Sequence, residues 1–211
     1  MIDVYYWPTK NAHKVTMMLE ETGLGYNLVP VNLGSGDHFK PDFLKISPNN
    51  RLPAIVDNEP TDGGEPVSVF ESGAILVYLA ERTGRLLPTD MRQRTVVLEW
   101  LCWQVSGLGP TVMQQEHFAH YASERIDYAV ARFNAETRRL YAVLDRQLAT
   151  RPFVAGDEFS IADIAIYPWI VPWLDDPQCF AVFANVKRWF EVVGQRRATR
   201  AAYARADTFA A

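Results

Sequence analysis

The chain has 211 residues, which is long for one small domain and short for three, so one large or two modest domains are expected. A hydrophobic fraction of 48% supplies enough apolar surface for cores that need no disulfide or metal. The 21 Lys and Arg residues against 25 Asp and Glu give a net charge of −4, and no long run of like charge occurs, so a nucleic-acid partner is not expected.

Three further features predict a cytoplasmic protein. Residues 1–7 have the pattern of a strand and lack the basic leader and apolar stretch of a secretory signal. No apolar segment reaches membrane-spanning length, so no membrane partner is expected. Cys102 and Cys179 lie far apart and outside any Cys-x-x-Cys motif, which fits a reducing compartment and excludes the usual protein dithiol redox site.

The first part of the chain alternates strand and helix patterns. Residues 2–6 are β-branched and aromatic, apolar residues then recur at helical spacing from Val15, and residues 26–31 return to strand character. Two further apolar runs, at residues 54–56 and 67–70, predict a hairpin because a turn-rich segment separates them.

A helix over residues 72–82, ended by Gly84, completes this part. The order β-α-β followed by β-β-α predicts a thioredoxin-like α/β domain over residues 1–83.

Long helical patterns dominate from residue 94 onward and predict an all-α domain over residues 94–211, after a linker at residues 84–93. One helix is expected over residues 95–115, bent near residues 107–110, and another over residues 126–148. Ser160 and Asp163 have the spacing of a helix capping box.

Four segments, taken in order and spacing, resemble the soluble glutathione transferases over nearly the whole chain. They are residues 5–14, 47–56, 70–80 and 160–163. The runs Pro-Thr-Lys-Asn at residues 8–11 and Asn-Asn-Arg-Leu-Pro at residues 49–53, with Arg132, are most similar to the nu-class bacterial enzymes, a group associated with glutathione-dependent disulfide-bond reduction. The resemblance implies a homodimer, and glutathione as cosubstrate with one or two molecules per subunit.

The resemblance also implies a glutathione site, although each residue has an ordinary structural alternative. Glu71 and Ser72 correspond to the pair that holds the γ-glutamyl group, or they only cap a helix. Leu52 corresponds to the residue whose backbone pairs with the cysteinyl group of glutathione, before a cis-proline at Pro53, or Pro53 is an ordinary turn proline.

Thr9 and Asn11 correspond to the residues nearest the glutathione sulfur, at a helix N-terminus that favours a thiolate, or Asn11 is a simple N-cap. His38 occupies a position where nu-class relatives have glutamine and is expected to contact glutathione. Arg132 is expected to bind a glutathione carboxylate, or is a solvated helix charge. Tyr5 and Tyr6 compete with Thr9 for thiol activation, but their place in an alternating strand favours packing.

Aromatic residues in the second half also have two interpretations, a substrate pocket or, as their helical spacing favours, core packing. These residues are Trp100, Trp103, Trp169 and Trp173. The histidines show no spacing of a metal site, so no metal is expected.

The preferred function is a glutathione-dependent disulfide-bond oxidoreductase in which bound glutathione, not a protein cysteine, supplies the thiol. Two alternatives stay open at this point. One is conjugation of glutathione to an electrophile or reduction of a hydroperoxide, and the other is a binding module without turnover.

Overall fold

A computed structural model describes residues 1–170 and 181–207 of the chain. By their contacts these residues form two compact units, one of residues 1–87 with 194–207 and one of residues 88–170 with 181–193. The expected domains, 1–83 and 94–211, stay a prediction. Grouping by contacts places the last helix in the first unit, because it packs on the first helix there. The Tyr203 ring stacks on His13 with centroids 4.2 Å apart.

The first unit is built on a four-stranded mixed sheet of order β2-β1-β3-β4. Its strands are β1 (Ile2–Tyr6), β2 (Tyr26–Pro30), β3 (Ala54–Asp57) and β4 (Val67–Phe70), and its helices are α1 (Lys10–Thr22), α2 (Pro41–Ile46) and α3 (Ser72–Thr83). β1 pairs parallel with β2 and antiparallel with β3, and β3 pairs antiparallel with β4. This confirms the thioredoxin-like α/β fold predicted from the order of patterns.

Helix boundaries in this unit follow from capping. Thr9 precedes α1 in an extended conformation, and its hydroxyl accepts a hydrogen bond from the Ala12 amide. Gly23 and Gly84 end α1 and α3 in the left-handed conformation that glycine adopts without steric cost. The buried core of this unit includes Val4 and Ile55 from the sheet, Leu19 from α1, and Ile75 and Leu79 from α3.

Helices dominate the second unit, which confirms its expected class. They are α4 (Met91–Trp103), α5 (Gly109–Glu116), α6 (Asp127–Leu148), α7 (Ile161–Ile166) and α8 (Ala184–Gly194), while α9 (Arg197–Asp207) packs with the first unit. Near residues 107–110, where a bend was expected, a π-helical segment, Gln104–Leu108, joins α4 to α5, and the bend itself stays a prediction. Among the described helices, none is both long and apolar enough to cross a membrane.

The capping box at the start of α7 is confirmed and extends into a buried network. The Asp163 carboxylate accepts from the Ser160 amide at 3.0 Å, the Val154 amide at 2.9 Å and Trp189 Nε1 at 2.8 Å. Burial raises the pKa of Asp163 although these bonds oppose the shift. One carboxylate therefore joins α7, α8 and the loop before them.

Candidate functional site

The sheet register brings the predicted site segments of the first unit to one edge. Ala54, the first residue of β3, pairs with Tyr5 near the end of β1 and with Phe70 at the end of β4. Because β3 runs antiparallel to both neighbours, they end where β3 begins. The peptide before β3 therefore lies at the same edge of the sheet as the N-termini of α1 and α3.

The turn before β3 has the conformation that the resemblance implied. The Leu52–Pro53 peptide bond is cis, and Leu52 packs on a small cluster that includes Phe43 and Ala54. Before it, the Ser47 hydroxyl donates to the Arg51 carbonyl at 2.8 Å, which ties the two ends of the turn together.

Glu71 has an unusual backbone at the junction of β4 and α3. It is not a glycine, yet its φ is 68° and its ψ 118°, a region that L-residues rarely occupy. Its side chain makes no capping hydrogen bond and instead accepts from Asn49 Nδ2 at 3.3 Å. A plain helix cap therefore does not explain Glu71, and the first-turn amides of α3 are not capped by its carboxylate.

Ser72, the first residue of α3, is buried and contacts Lys14, a basic residue that the sequence analysis did not assign to the site. Lys14 of α1 is 1% exposed, and its Nζ donates to Ser72 Oγ at 3.2 Å. Burial lowers the pKa of Lys14 to about 7, while the charge of Glu71 opposes the shift. A buried basic group thus lies behind the N-terminus of α3.

The N-terminus of α1 is capped by Thr9, so the alternative in which Asn11 is the cap is wrong. α1 begins at Lys10, which places Asn11 at the second helical position, where it is half-buried. The first turn of α1 contains no acidic residue that would offset the positive end of the helix dipole. A hydroxyl that accepts from an amide still has its own hydrogen to donate, so Thr9 combines capping with a capacity to bind an anion.

His38 lies in a short 3₁₀ turn, Asp37–Phe39, after β2. Among the described residues no hydrogen-bond partner is found for its buried Nδ1. Buried polar atoms in folded proteins are normally hydrogen-bonded, so the unsatisfied Nδ1 of His38 is a candidate contact for a ligand.

The tyrosines of β1 have the environment of packing residues. Tyr6 is fully buried, and the Tyr5 ring lies 5.9 Å from Phe43. Burial, with the charge of Asp3, raises the pKa of Tyr5, so its phenol stays protonated at neutral pH and does not act as a base toward a thiol.

The tryptophans of the second unit differ in their burial. Trp169 is buried, whereas Trp100 and Trp103 are half-buried and meet edge to face with centroids 5.1 Å apart. Trp173 lies outside the described residues. Core packing therefore accounts for Trp169, and the other two are only partly covered.

Arg132 lies on α6 and is exposed. It lines an open cavity of about 640 Å³ within the second unit, together with Tyr128, Phe133 and Arg139. Its side chain is accessible to an anion, and its role as a glutathione contact stays a prediction.

Among residues 1–170 and 181–207, no group of three or more His, Cys, Asp or Glu side chains is arranged to hold a metal ion.

Lys14 and Asn49 are the residues of the candidate site that the sequence analysis did not assign. A signal for Lys14 existed, because it lies one turn before Met18 on the apolar face of α1, where a solvated lysine is not expected.

Comparison with known families matches both units. The model of the glutathione S-transferase N-terminal domain matches residues 2–81, and that of the glutathione S-transferase C-terminal domain matches residues 127–192.

Individual relatives match over nearly their whole length. The chain is 51% identical over 207 residues to the disulfide-bond oxidoreductase YfcG of Escherichia coli, covering 98% of this chain and 96% of the relative. A glutathione transferase from Burkholderia graminis, solved with two glutathione molecules bound per subunit, matches with 37% identity and a TM-score of 0.90 over 95% of this chain and 86% of its own. One from Pseudomonas putida, solved with one glutathione disulfide per subunit, matches with 38% identity and a TM-score of 0.89 over 95% and 90%.

Proposed function

The chain belongs to the glutathione S-transferase family, and we propose that it is an enzyme that reduces disulfide bonds with glutathione. The thiolate of one bound glutathione attacks a sulfur of the substrate disulfide, which releases one substrate thiol and leaves a mixed disulfide. A second glutathione thiolate then attacks the glutathione sulfur of that mixed disulfide. The second substrate thiol leaves, and glutathione disulfide is the oxidised product.

The observation that carries this proposal is the convergence at one edge of the sheet. The α3 N-terminus with Glu71 and Ser72, the turn at Leu52 and Pro53, and the α1 N-terminus with Thr9 all lie there. A γ-glutamyl group carries an ammonium and a carboxylate, which match the Glu71 carboxylate and the Ser72 hydroxyl with the first amides of α3. The backbone of Leu52 then serves the cysteinyl group, as an added strand would.

Thr9 and Asn11 are proposed to hold the glutathione sulfur as a thiolate. A thiol of pKa about 8.5 is only about 3% ionised at pH 7. Lowering its pKa by about two units raises the thiolate fraction about 25-fold, but the accompanying loss of nucleophilicity leaves a gain of only a few-fold. Placing the sulfur correctly must therefore contribute as much as ionising it.

Two further contacts are proposed. His38 is proposed to satisfy its buried Nδ1 by a contact to glutathione. Arg132, exposed on α6, is proposed as a contact to a glutathione carboxylate. The two substitutions His38→Ala and Arg132→Ala test these contacts separately, by the dissociation constant of glutathione.

The proposed chemistry needs no cysteine of the protein. Cys102 is an exposed free thiol on α4, in the unit that does not contain Thr9, Glu71 or Ser72. Cys179 lies outside the described residues. Both thiols of the reaction come from glutathione.

The test is an assay of the purified protein with glutathione against three substrates. These are 2-hydroxyethyl disulfide, cumene hydroperoxide and 1-chloro-2,4-dinitrobenzene. The proposal predicts that the disulfide is the best substrate by kcat/KM. Preference for the hydroperoxide or the aryl halide would support peroxidase or transferase function instead, and glutathione binding without any turnover would support a binding module.

We propose in addition that the enzyme is a cytoplasmic homodimer of the nu class. The runs at residues 8–11 and 49–53 support the class, and the exposed thiol of Cys102 is compatible with a reducing compartment. Light scattering coupled to gel filtration tests the dimer, for which about 48 kDa is expected from the chain mass of 24.0 kDa.

A further inference from the structure

Lys14 is a buried basic residue that the proposed chemistry does not use. Lysine side chains are almost never fully buried unless they are paired. Lys14 is 1% exposed on the helix that packs against α3, and its Nζ reaches Ser72 Oγ at 3.2 Å. A residue of α1 therefore contacts, from the protein interior, the first residue of α3.

The chemistry of this contact fixes the direction of the Ser72 hydroxyl. In its protonated form Lys14 carries an ammonium group, which has three hydrogens and no lone pair, so it can only donate. Ser72 Oγ must accept that bond, and its own single hydrogen points to a different acceptor. An anion at the N-terminus of α3 is the acceptor that this geometry favours.

The charges at the start of α3 also match a γ-glutamyl group. Glu71 lies beside Ser72 and acts on Lys14 by its charge, so the start of α3 has one acidic and one basic group. Burial lowers the pKa of Lys14 to about 7, and an incoming carboxylate next to Ser72 would favour its charged form. The α-ammonium and α-carboxylate of a γ-glutamyl group are the complement of Glu71 and Lys14.

We propose that Lys14 is a positioning residue of the γ-glutamyl site. It holds the Ser72 hydroxyl as a donor to the ligand carboxylate. From the interior side of Ser72, it also balances the negative charge of that carboxylate. The site thereby selects ligands with a free α-carboxylate beside an α-ammonium. This inference rests on the proposed function, because it assumes that glutathione binds at this edge of the sheet.

The experiment is a calorimetric comparison of three ligands without a reactive thiol. They are S-methylglutathione, the same peptide with a 4-aminobutanoyl group in place of γ-glutamyl, which lacks the α-carboxylate, and the same peptide with a glutaryl group, which lacks the α-ammonium. Each is titrated into wild-type protein, Lys14→Met and the surface control Lys45→Met. Lys45 is exposed and pairs with Asp42, so its removal should change none of the three dissociation constants.

The proposal predicts a loss that depends on the carboxylate. Lys14→Met should raise the dissociation constants of S-methylglutathione and of the glutaryl peptide about tenfold or more, and that of the 4-aminobutanoyl peptide less than about twofold. Lys14→Gln, which keeps a polar side chain but no charge, should give the same selective pattern, and it replaces the Met variant if that one does not fold.

Three outcomes would overturn the inference, and the last of them is distinguishable from the first two. An equal loss for all three ligands, or no loss for any, would mean that Lys14 has only a structural role while glutathione still binds. If wild-type protein does not bind S-methylglutathione at all, the proposed function fails and this inference fails with it.

Discussion

The Nζ of Lys14 donates to the Ser72 hydroxyl across 3.2 Å, so a buried basic group on α1 lies behind the first residue of α3. This contact joins two helices that flank the sheet edge where the proposed glutathione site lies. Because Lys14 is buried and basic, the free energy of unfolding should also depend on pH.

Lys14 should make stability rise with pH above neutrality. Its pKa falls from the usual 10.5 to about 7 in the folded chain, so between these values the unfolded chain holds a proton that the folded chain has released. The free energy of unfolding of wild type relative to Lys14→Met should therefore increase from pH 7 to pH 9, by at most about 1.4 kcal/mol per pH unit.

Urea unfolding of ligand-free protein at pH 6, 7.5 and 9 measures this difference. Lys45→Met is the control, because the bond to Asp42 raises the pKa of Lys45 and keeps it charged throughout this range. A difference between wild type and Lys14→Met that does not change with pH would show that Lys14 does not titrate in this window.

Ser72→Ala should weaken glutathione binding by about 1 to 3 kcal/mol, because it removes a hydrogen bond to a charged group. Calorimetry on the folded variant gives the value. Ser68→Ala, at an exposed position on β4, should leave the affinity unchanged. An unaltered dissociation constant in Ser72→Ala would reduce this serine to the start of a helix.

Thr9→Ala combined with Asn11→Ala should lower disulfide turnover more than glutathione affinity. The γ-glutamyl contacts persist in the double variant, whereas the sulfur loses the groups that place it, and misplacement by about 1 Å can cost roughly a hundredfold in rate. We expect affinity within about tenfold of wild type and a larger loss of kcat.

Thr9→Ser serves as the matched control, since it keeps both the hydroxyl and the cap of α1, and it should retain most of the turnover. If the double variant instead loses affinity and keeps a normal rate at saturating glutathione, Thr9 and Asn11 are anchors. Activation of the thiol must then come from another group, and Tyr6 would be tested first.

Asp163→Asn should destabilise the second unit by about 2 kcal/mol or more. The carboxylate accepts from two backbone amides and from Trp189 Nε1, and an amide group would place a donor against at least one of these donors. Thermal unfolding measures the loss, and Asp157→Asn in the exposed loop before α7 is the control. Equal melting temperatures for Asp163→Asn and wild type would contradict a structural role for this network.

Much of the fold could be predicted from the sequence because its signals are local. Strand alternation in residues 2–6 and the position of Gly84 depend on a few neighbouring residues, and both predictions hold in the structure. The capping box at Ser160 and Asp163 is local in the same sense, whereas the bond from Trp189 to Asp163 spans 26 positions and has no local signature.

The site was only partly accessible from the sequence. The junction at Glu71 could be located by resemblance, but its φ of 68° results from the way β4 meets α3 and is not encoded in a residue type such as glycine. Lys14 was missed because lysine is usually solvated. The grouping of residues 194–207 with the first unit depends on contacts between distant segments, such as the ion pair of Arg196 with Glu21.

The most direct test of the central claim, that glutathione supplies both thiols, is the kcat/KM for 2-hydroxyethyl disulfide of a cysteine-free protein. Cys102→Ser with Cys179→Ser removes both cysteines of the chain. We predict that its kcat/KM with glutathione stays within about twofold of wild type, since neither thiol takes part in the exchange steps. Loss of turnover in a double variant that is folded and still binds glutathione would contradict the mechanism and assign the chemistry to a protein thiol.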